Sequence, residues 1–196
     1  MNKSRIAVFD FDGTLTTKDS FLEFIRFTHG TYKLYIGLLL HLPFIIAFKI
    51  RIYSNEKTKQ MIFKWFYKGM PYQTFKRKGI EFSGVIDSFV NLETLRLVDR
   101  HRKENDLIFV VSASVEEWVS PWCHKNGLHH VIGTKVDIDE HGRLTGLFST
   151  PNCYGMEKVR RFSEMEPERN SFILFAYGDS RGDKEMIEFA DYGQYI

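Results

Sequence analysis

The sequence predicts an α/β fold, a Rossmann-like three-layer core with a parallel sheet, interrupted by an inserted helical unit. Two observations carry this. Three short apolar runs, Ile6–Phe9, Leu107–Val111 and Phe172–Ala176, are continuous rather than alternating, as strands covered on both faces are. Each leads into small or acidic residues and then a helical pattern, which is the α/β signature. Nearly a hundred residues with little strand character then separate the first run from the second. A right-handed βαβ crossover needs one helix, so the excess is read as a separate helical unit after the first strand. That position lies over the carboxyl end of the strand, where open α/β sheets bind ligands.

The elements follow in order. After the first strand, helices are expected at about 20–27, 32–52, 55–67, 72–89 and 92–102, with Gly30, Gly69 and Pro71 as breaks. The second strand is followed by a helix over 115–125. Next comes "TKVDIDEHGRLTGLF", which alternates about an Asp-Glu-His-Gly turn and reads as a hairpin. A helix over 157–164 precedes the third strand and another, 184–189, follows it; "ADYGQYI" reads as the start of a further strand. The core is therefore assigned to residues 1–16 and 93–196, and the insertion to 17–92. At 196 residues, 43% hydrophobic and 15% aromatic, the chain can bury a full interior, which argues against disorder. With 27 basic against 25 acidic residues there is no global basic field, so no nucleic-acid partner is expected.

Four polar clusters fall where strands end or helices begin. Asp10 and Asp12, two apart after the first strand, are read as sharing one side of the chain. Two such charges are unfavourable together unless a cation or proton lies between them, and carboxylate, carbonyl and water oxygens suit Mg²⁺. Ser112, Ala113 and Ser114 offer hydroxyls and backbone amides ahead of a helix. Lys158 is a point charge suited to phosphate oxygens. Asp179 and Asp183 follow the third strand. Together these groups can hold a metal and an anion, the equipment of phosphoryl transfer.

Asp-Phe-Asp-Gly-Thr at 10–14, Ser112, Lys158 and Gly-Asp-Ser-Arg-Gly-Asp at 178–183, in that order, resemble the four motifs of the haloacid dehalogenase superfamily. The helical insertion with "VVSAS" and "YGMEK" is similar to the phosphoserine-phosphatase-like branch, subfamily IB, and implies a C1-type cap. The resemblance implies a phosphoric monoester hydrolase in which Asp10 attacks phosphorus and Asp12 serves as general acid and base. Mg²⁺ would be held by Asp10, the Asp12 carbonyl and Asp179, with Asp183 acting behind them. Phe11, Thr14, Ser112, Ala113 and Lys158 would bind the phosphate. An aspartate at position 12 favours phosphate chemistry over dehalogenation, because an alcohol leaving group needs a proton. A phosphotransferase or mutase shares this equipment, and a non-catalytic, membrane-associated binding protein is the reading of a different class.

The insertion bears on substrate. Phosphoserine phosphatases carry a glutamate where this chain has Asp19, and a cap arginine where it has Phe63, which weakens phosphoserine as substrate. The stretch "YKLYIGLLLHLPFIIAFKI" is apolar, yet the fifteen residues between Lys33 and Lys49 fall short of a membrane span. It is read either as a buried helix or helix pair broken at Pro43, or as a surface that meets lipid or an acyl chain, with lysines 33, 49, 57, 59, 64 and 68 around it. The second reading makes the substrate a lipid phosphate of phosphatidylglycerophosphate or lysophosphatidate type, against phosphoserine or another small phosphorylated metabolite. Cys123 and Cys153 are read as ordinary buried thiols of a cytoplasmic protein, peripheral to the membrane where lipid is met. The N-terminus shows no apolar signal segment. Asp137 and Asp139 are read as a solvated hairpin, and His124, His129 and His130 as scattered surface residues. Thr16–Lys18 and the Asn91 region are hinge candidates.

Overall fold

A computed structural model describes residues 3–50 and 52–196. Five strands form one parallel sheet: β1 (Ser4–Phe9), β2 (Leu107–Val115), β3 (His130–Thr134), β6 (Phe172–Gly178) and β7 (Tyr192–Tyr195), in the order β3-β2-β1-β6-β7. The three apolar runs are its three central strands. β1 pairs with β2 through Ile6 and Leu107 and with β6 through Ser4 and Phe172, so the carboxyl ends of all three open on one side. Sequence order reverses around β1, and the crevice at this switch point is where the polar clusters converge. β3 is not among the expected strands; its run "HVIGT" is short and follows the Asn126-Gly127 turn after α7 closely. The terminal stretch does form a strand, β7, on the opposite edge.

The other two strands, β4 (Val136–Ile138) and β5 (Leu144–Phe148), make the expected antiparallel hairpin. Asp139 Oδ1 accepts from the amides of His141 and Arg143, each at 2.9 Å, which closes the turn.

The insertion holds α1 (Ser20–His29), α2 (Thr31–Leu40), α3 (Leu42–Lys49), α4 (Asn55–Tyr67) and α5 (Tyr72–Ile86). The core helices are α6 (Leu92–Lys103), α7 (Glu116–Lys125), α8 (Met156–Met165) and α9 (Lys184–Phe189). Side chains from α1, α4, α5 and α7 meet in one aromatic cluster. In it Phe24 stacks on Trp118 at 4.4 Å between centroids and meets Phe75 and Phe82 edge-on. Phe63 and Tyr67 belong to the same cluster, so the insertion is fixed to the sheet through apolar burial. Its two connections run side by side: Thr17 N donates to Phe89 O at 2.7 Å and Asn91 N to Leu15 O at 2.8 Å.

The apolar stretch is two helices that meet at 66°. The break falls at His41, and Pro43 sits in the first turn of α3, where its missing N–H costs nothing. Each helix is only about 12–15 Å long. Among the described residues no single helix is long and apolar enough to cross a membrane. Gly37 lets α2 approach α4 closely, since a methyl there would collide with Phe66. Leu34 and Gly37 are the buried residues of α2, and α3 has none. The expectation of a buried helix pair is therefore corrected: an all-apolar helix normally disappears into a core, whereas here Leu39, Leu40, Ile46 and Ile50 stand exposed.

Candidate active site

The site begins where β1 stops. Asp10 N donates to Tyr177 O at 2.9 Å, which continues the strand pairing by one residue. The chain then folds back, with Thr16 N donating to Phe11 O at 3.0 Å. Gly13 makes this turn at φ 81°, and a methyl there would strike the Asp179 carboxylate. The turn thus brings the loop after β1 against the loop after β6.

Asp10 is buried. Lys158, from the first turn of α8, pairs with Asp10 Oδ1 and with Asp183 Oδ1. Asp183 Oδ2 accepts from the amide and hydroxyl of Ser180 at 3.0 and 2.9 Å, so both of its oxygens are engaged. One oxygen from each of Asp10, Asp179 and Asp183 lies within 4.8 Å of the others.

Asp12 points elsewhere. The strand ends at Phe9, and the carboxylate turns toward α1 and β2 instead of sharing a side with Asp10. Asp12 Oδ1 accepts from Ser20 N at 2.7 Å, and Oδ2 from the Ser114 hydroxyl. Ser114 belongs to the cluster read from the sequence, whereas Ser20 does not; it joins the first turn of α1 to Asp12, which no local pattern reveals. Ser112 Oγ accepts from Ser114 N at 2.9 Å. The Thr14 hydroxyl is buried without a hydrogen-bond partner. Phe11 is wholly buried, its ring against Trp122. Ala113 lines the cavity described below, and Phe11, Thr14 and Ser112 are buried.

Electrostatics follow from this crowding. Burial pushes the Asp10 carboxyl up to about 7; Lys158 opposes this, and Asp183 and Asp12 add to it. Asp12 is raised by burial and by Asp19, and Asp179 by burial and by Asp183. Burial lowers Lys158, but Asp10 and Asp183 outweigh it and keep the ammonium charged. Three neighbouring carboxylates against one ammonium leave surplus negative charge and hard oxygen donors. That donor set can hold a divalent ion such as Mg²⁺. Among the described residues it is the one such cluster, and the three histidines at 124–130 form none.

A cavity of about 1050 Å³ opens from these groups. One end is Asp10, Asp12, Asp179, Asp183 and Lys158; the other is walled by Leu38, Leu39, Leu42, Ile45 and Phe48 of α2 and α3. Asp19 also lines it, and its Oδ1 caps α1 by accepting from Leu22 N at 3.0 Å. Phe63 takes no part, being buried in the aromatic cluster. Lys59 is one of the lysines around the apolar stretch. It turns inward, donating to Ala113 O at 2.8 Å across the Phe21 ring.

The sequence profile of the haloacid dehalogenase-like hydrolases matches residues 7–188. The chain is 30% identical over 188 residues to protein CicA of Caulobacter vibrioides, covering 95% of this chain and 83% of CicA. Among solved structures, a protein of unknown function from Bordetella pertussis Tohama I superposes with a TM-score of 0.80 at 21% identity, over 100% of this chain and 90% of that one. A phospho-aspartyl intermediate analogue of phosphoserine phosphatase superposes with a TM-score of 0.67 at 18% identity, over 100% and 86%. These two likenesses concern the fold.

Proposed function

The chain belongs to the haloacid dehalogenase-like hydrolases, as a hydrolase of phosphate monoesters, and we propose that its substrate is a lipid phosphate. The observation that carries this reading is the single cavity joining the aspartates to an apolar wall. A small soluble phosphate needs no such wall, whereas an acyl or alkyl chain does.

In this reading an Asp10 oxygen bonds phosphorus as the ester bond breaks, and Asp12 gives its proton to the departing alkoxide. A raised Asp12, held by Ser20 and Ser114, suits a group that must start protonated. Asp12 then takes a proton from the water that attacks the aspartyl phosphate, which frees phosphate and restores Asp10. Lys158, the Ser112 hydroxyl and amides near Phe11, Ala113 and Thr14 stabilise the equatorial oxygens. Asp10 and Asp179, with the Asp12 carbonyl or Asp183, would hold Mg²⁺, which would supply charge neutralisation at the phosphate. Residues 1–16 and 93–196 form the catalytic core, 17–92 the cap, and Thr16–Lys18 with Asn91 the connection on which the cap moves.

The outward side of α2 and α3 supports peripheral contact with the membrane that carries the substrate. Leu40, Ile46 and Ile50 are exposed there. No acidic residue occurs between Glu23 and Glu56, while Arg26, Lys33, Lys49 and Arg51 do. An exposed apolar face with basic neighbours suits an anionic bilayer surface. The two buried free cysteines suit the reducing cytoplasm.

The test is phosphate release from lipid, amino-acid, sugar and nucleotide phosphates, with Mg²⁺ and with EDTA, alongside sedimentation with anionic vesicles. Metal-dependent turnover favouring lipid phosphates is expected, with vesicle binding lost in Leu40→Glu/Ile46→Glu. Turnover confined to phosphoserine or other small soluble phosphates refutes the substrate; no turnover of any phosphate refutes the mechanism.

A further inference from the structure

Two cations that line the cavity have no part in the proposed mechanism, Lys18, which is exposed, and Lys59, which is half-buried. Lys59 comes from α4 of the insertion and lines the cavity, its ammonium touching the Ala113 carbonyl and the Phe21 ring. Lys158 pairs with two carboxylates, Asp10 and Asp183. Lys59 differs: its hydrogen bond among the described residues is to one neutral carbonyl. Asp12 and Asp19 act on it only through space. An ammonium has three donors, and Lys59, half-buried at the cavity wall, has one of them on a protein acceptor among the described residues.

We infer that Lys59 binds a second anionic group of the substrate, placed between the scissile phosphate and the apolar chain. The chemistry along the cavity then runs in a fixed order. Metal-ligating carboxylates and Lys158 take the terminal phosphate, Lys59 takes an internal anion such as a phosphodiester, and the α2–α3 wall takes the chain. This deepens the lipid-phosphate reading and rests on it: a substrate with a phosphodiester linking its chain to a phosphorylated polyol fits all three stations, whereas a single phosphate on a lipid leaves the middle one empty. Lys59 is also the cap's cationic tether to β2. Asn55 on the same helix makes a neutral tether, its Oδ1 accepting from Asn152 Nδ2 at 2.7 Å, so the cap does not depend on the lysine for its attachment.

The experiment uses the full chain with Mg²⁺ and four substrates that vary two features independently. They are glycerol 3-phosphate, methyl-phosphoglycerol phosphate, dodecyl phosphate and dodecyl-phosphoglycerol phosphate, each followed by phosphate release. Wild-type protein is expected to prefer the members with an internal phosphodiester by about 10-fold to 100-fold in kcat/KM, the range of a charge-assisted contact. Lys59→Met should erase that preference through KM, and Lys59→Arg should keep most of it. An equal kcat/KM with and without the phosphodiester, or a loss in Lys59→Met that is the same for all four, overturns the assignment. The dodecyl pair against the glycerol pair reports separately on the chain, so a failure of the lipid reading appears as no chain effect while the phosphodiester effect remains. Thermal melts of the variants identify any loss of folding, and Lys59→Arg then carries the comparison.

Discussion

Lengthening a saturated chain on the substrate should raise kcat/KM by a constant factor per methylene until the cavity is filled. A fully buried methylene is worth about 0.8 kcal/mol. The cavity is not closed: Leu39 is 70% exposed and Leu42 43%, while Leu38 and Ile45 pack against the core. A chain along this wall buries about half its surface, or about 0.4 kcal/mol and twofold per methylene. Between butyl and decyl phosphate the gain is then about 50-fold. Ile45→Asp puts a carboxylate into the wall, so the gain should collapse toward unity over the same series. The assay is initial-rate phosphate release from butyl, hexyl, octyl and decyl phosphates below their micelle concentrations, with Mg²⁺. A flat wild-type series, or one whose slope survives Ile45→Asp, refutes the assignment of this wall to the substrate chain.

Divalent metal should stabilise the fold, because Asp10, Asp179 and Asp183 hold surplus negative charge. At about 100 times its Kd, Mg²⁺ adds about 2.7 kcal/mol, a rise of about 5–10 °C in Tm for a chain of this size. The rise should shrink sharply in Asp179→Asn, and a Tm indifferent to EDTA would contradict the site. Ser114→Ala removes the hydroxyl that orients Asp12; about a 10-fold fall in kcat with little change in KM is expected, and a pure KM effect would argue against the role of Asp12. Burial raises Glu117 to about 6, and its Oε2 has no hydrogen-bond partner. The folded state therefore holds that proton more tightly than the unfolded one, so this group's contribution is full below pH 4.5 and lost as pH rises through 6. Glu117→Gln should gain up to about 2 kcal/mol at pH 7 and nothing near pH 4, measured by urea unfolding at both; an equal change at the two pH values would refute it.

The central strands were legible because burial on both faces writes itself into the sequence as continuous apolar runs. The polar clusters were legible for a related reason: a site at strand ends needs its residues at fixed offsets from those runs. Asp10, Lys158, Asp179 and Asp183 meet where the strand order implies they should. β3 escaped because an edge strand of five residues carries no distinctive period. Asp12 escaped in direction, since the turn at Gly13, and not strand alternation, decides where its carboxylate points.

Within the insertion the limits are sharper. Composition alone marked the segment from Tyr32 to Ile50 as apolar and too short to span a membrane, but an apolar helix reads the same whether it is buried or exposed. Only packing settled that α3 buries none of its residues, that Phe63 lies in the aromatic cluster and that Lys59 turns inward. The physical reason is range. Periodicity and motif spacing record forces between neighbours in the chain, whereas the cavity is made by α1, α2, α3 and α4 meeting loops more than fifty residues away, and that meeting exists only in the folded molecule.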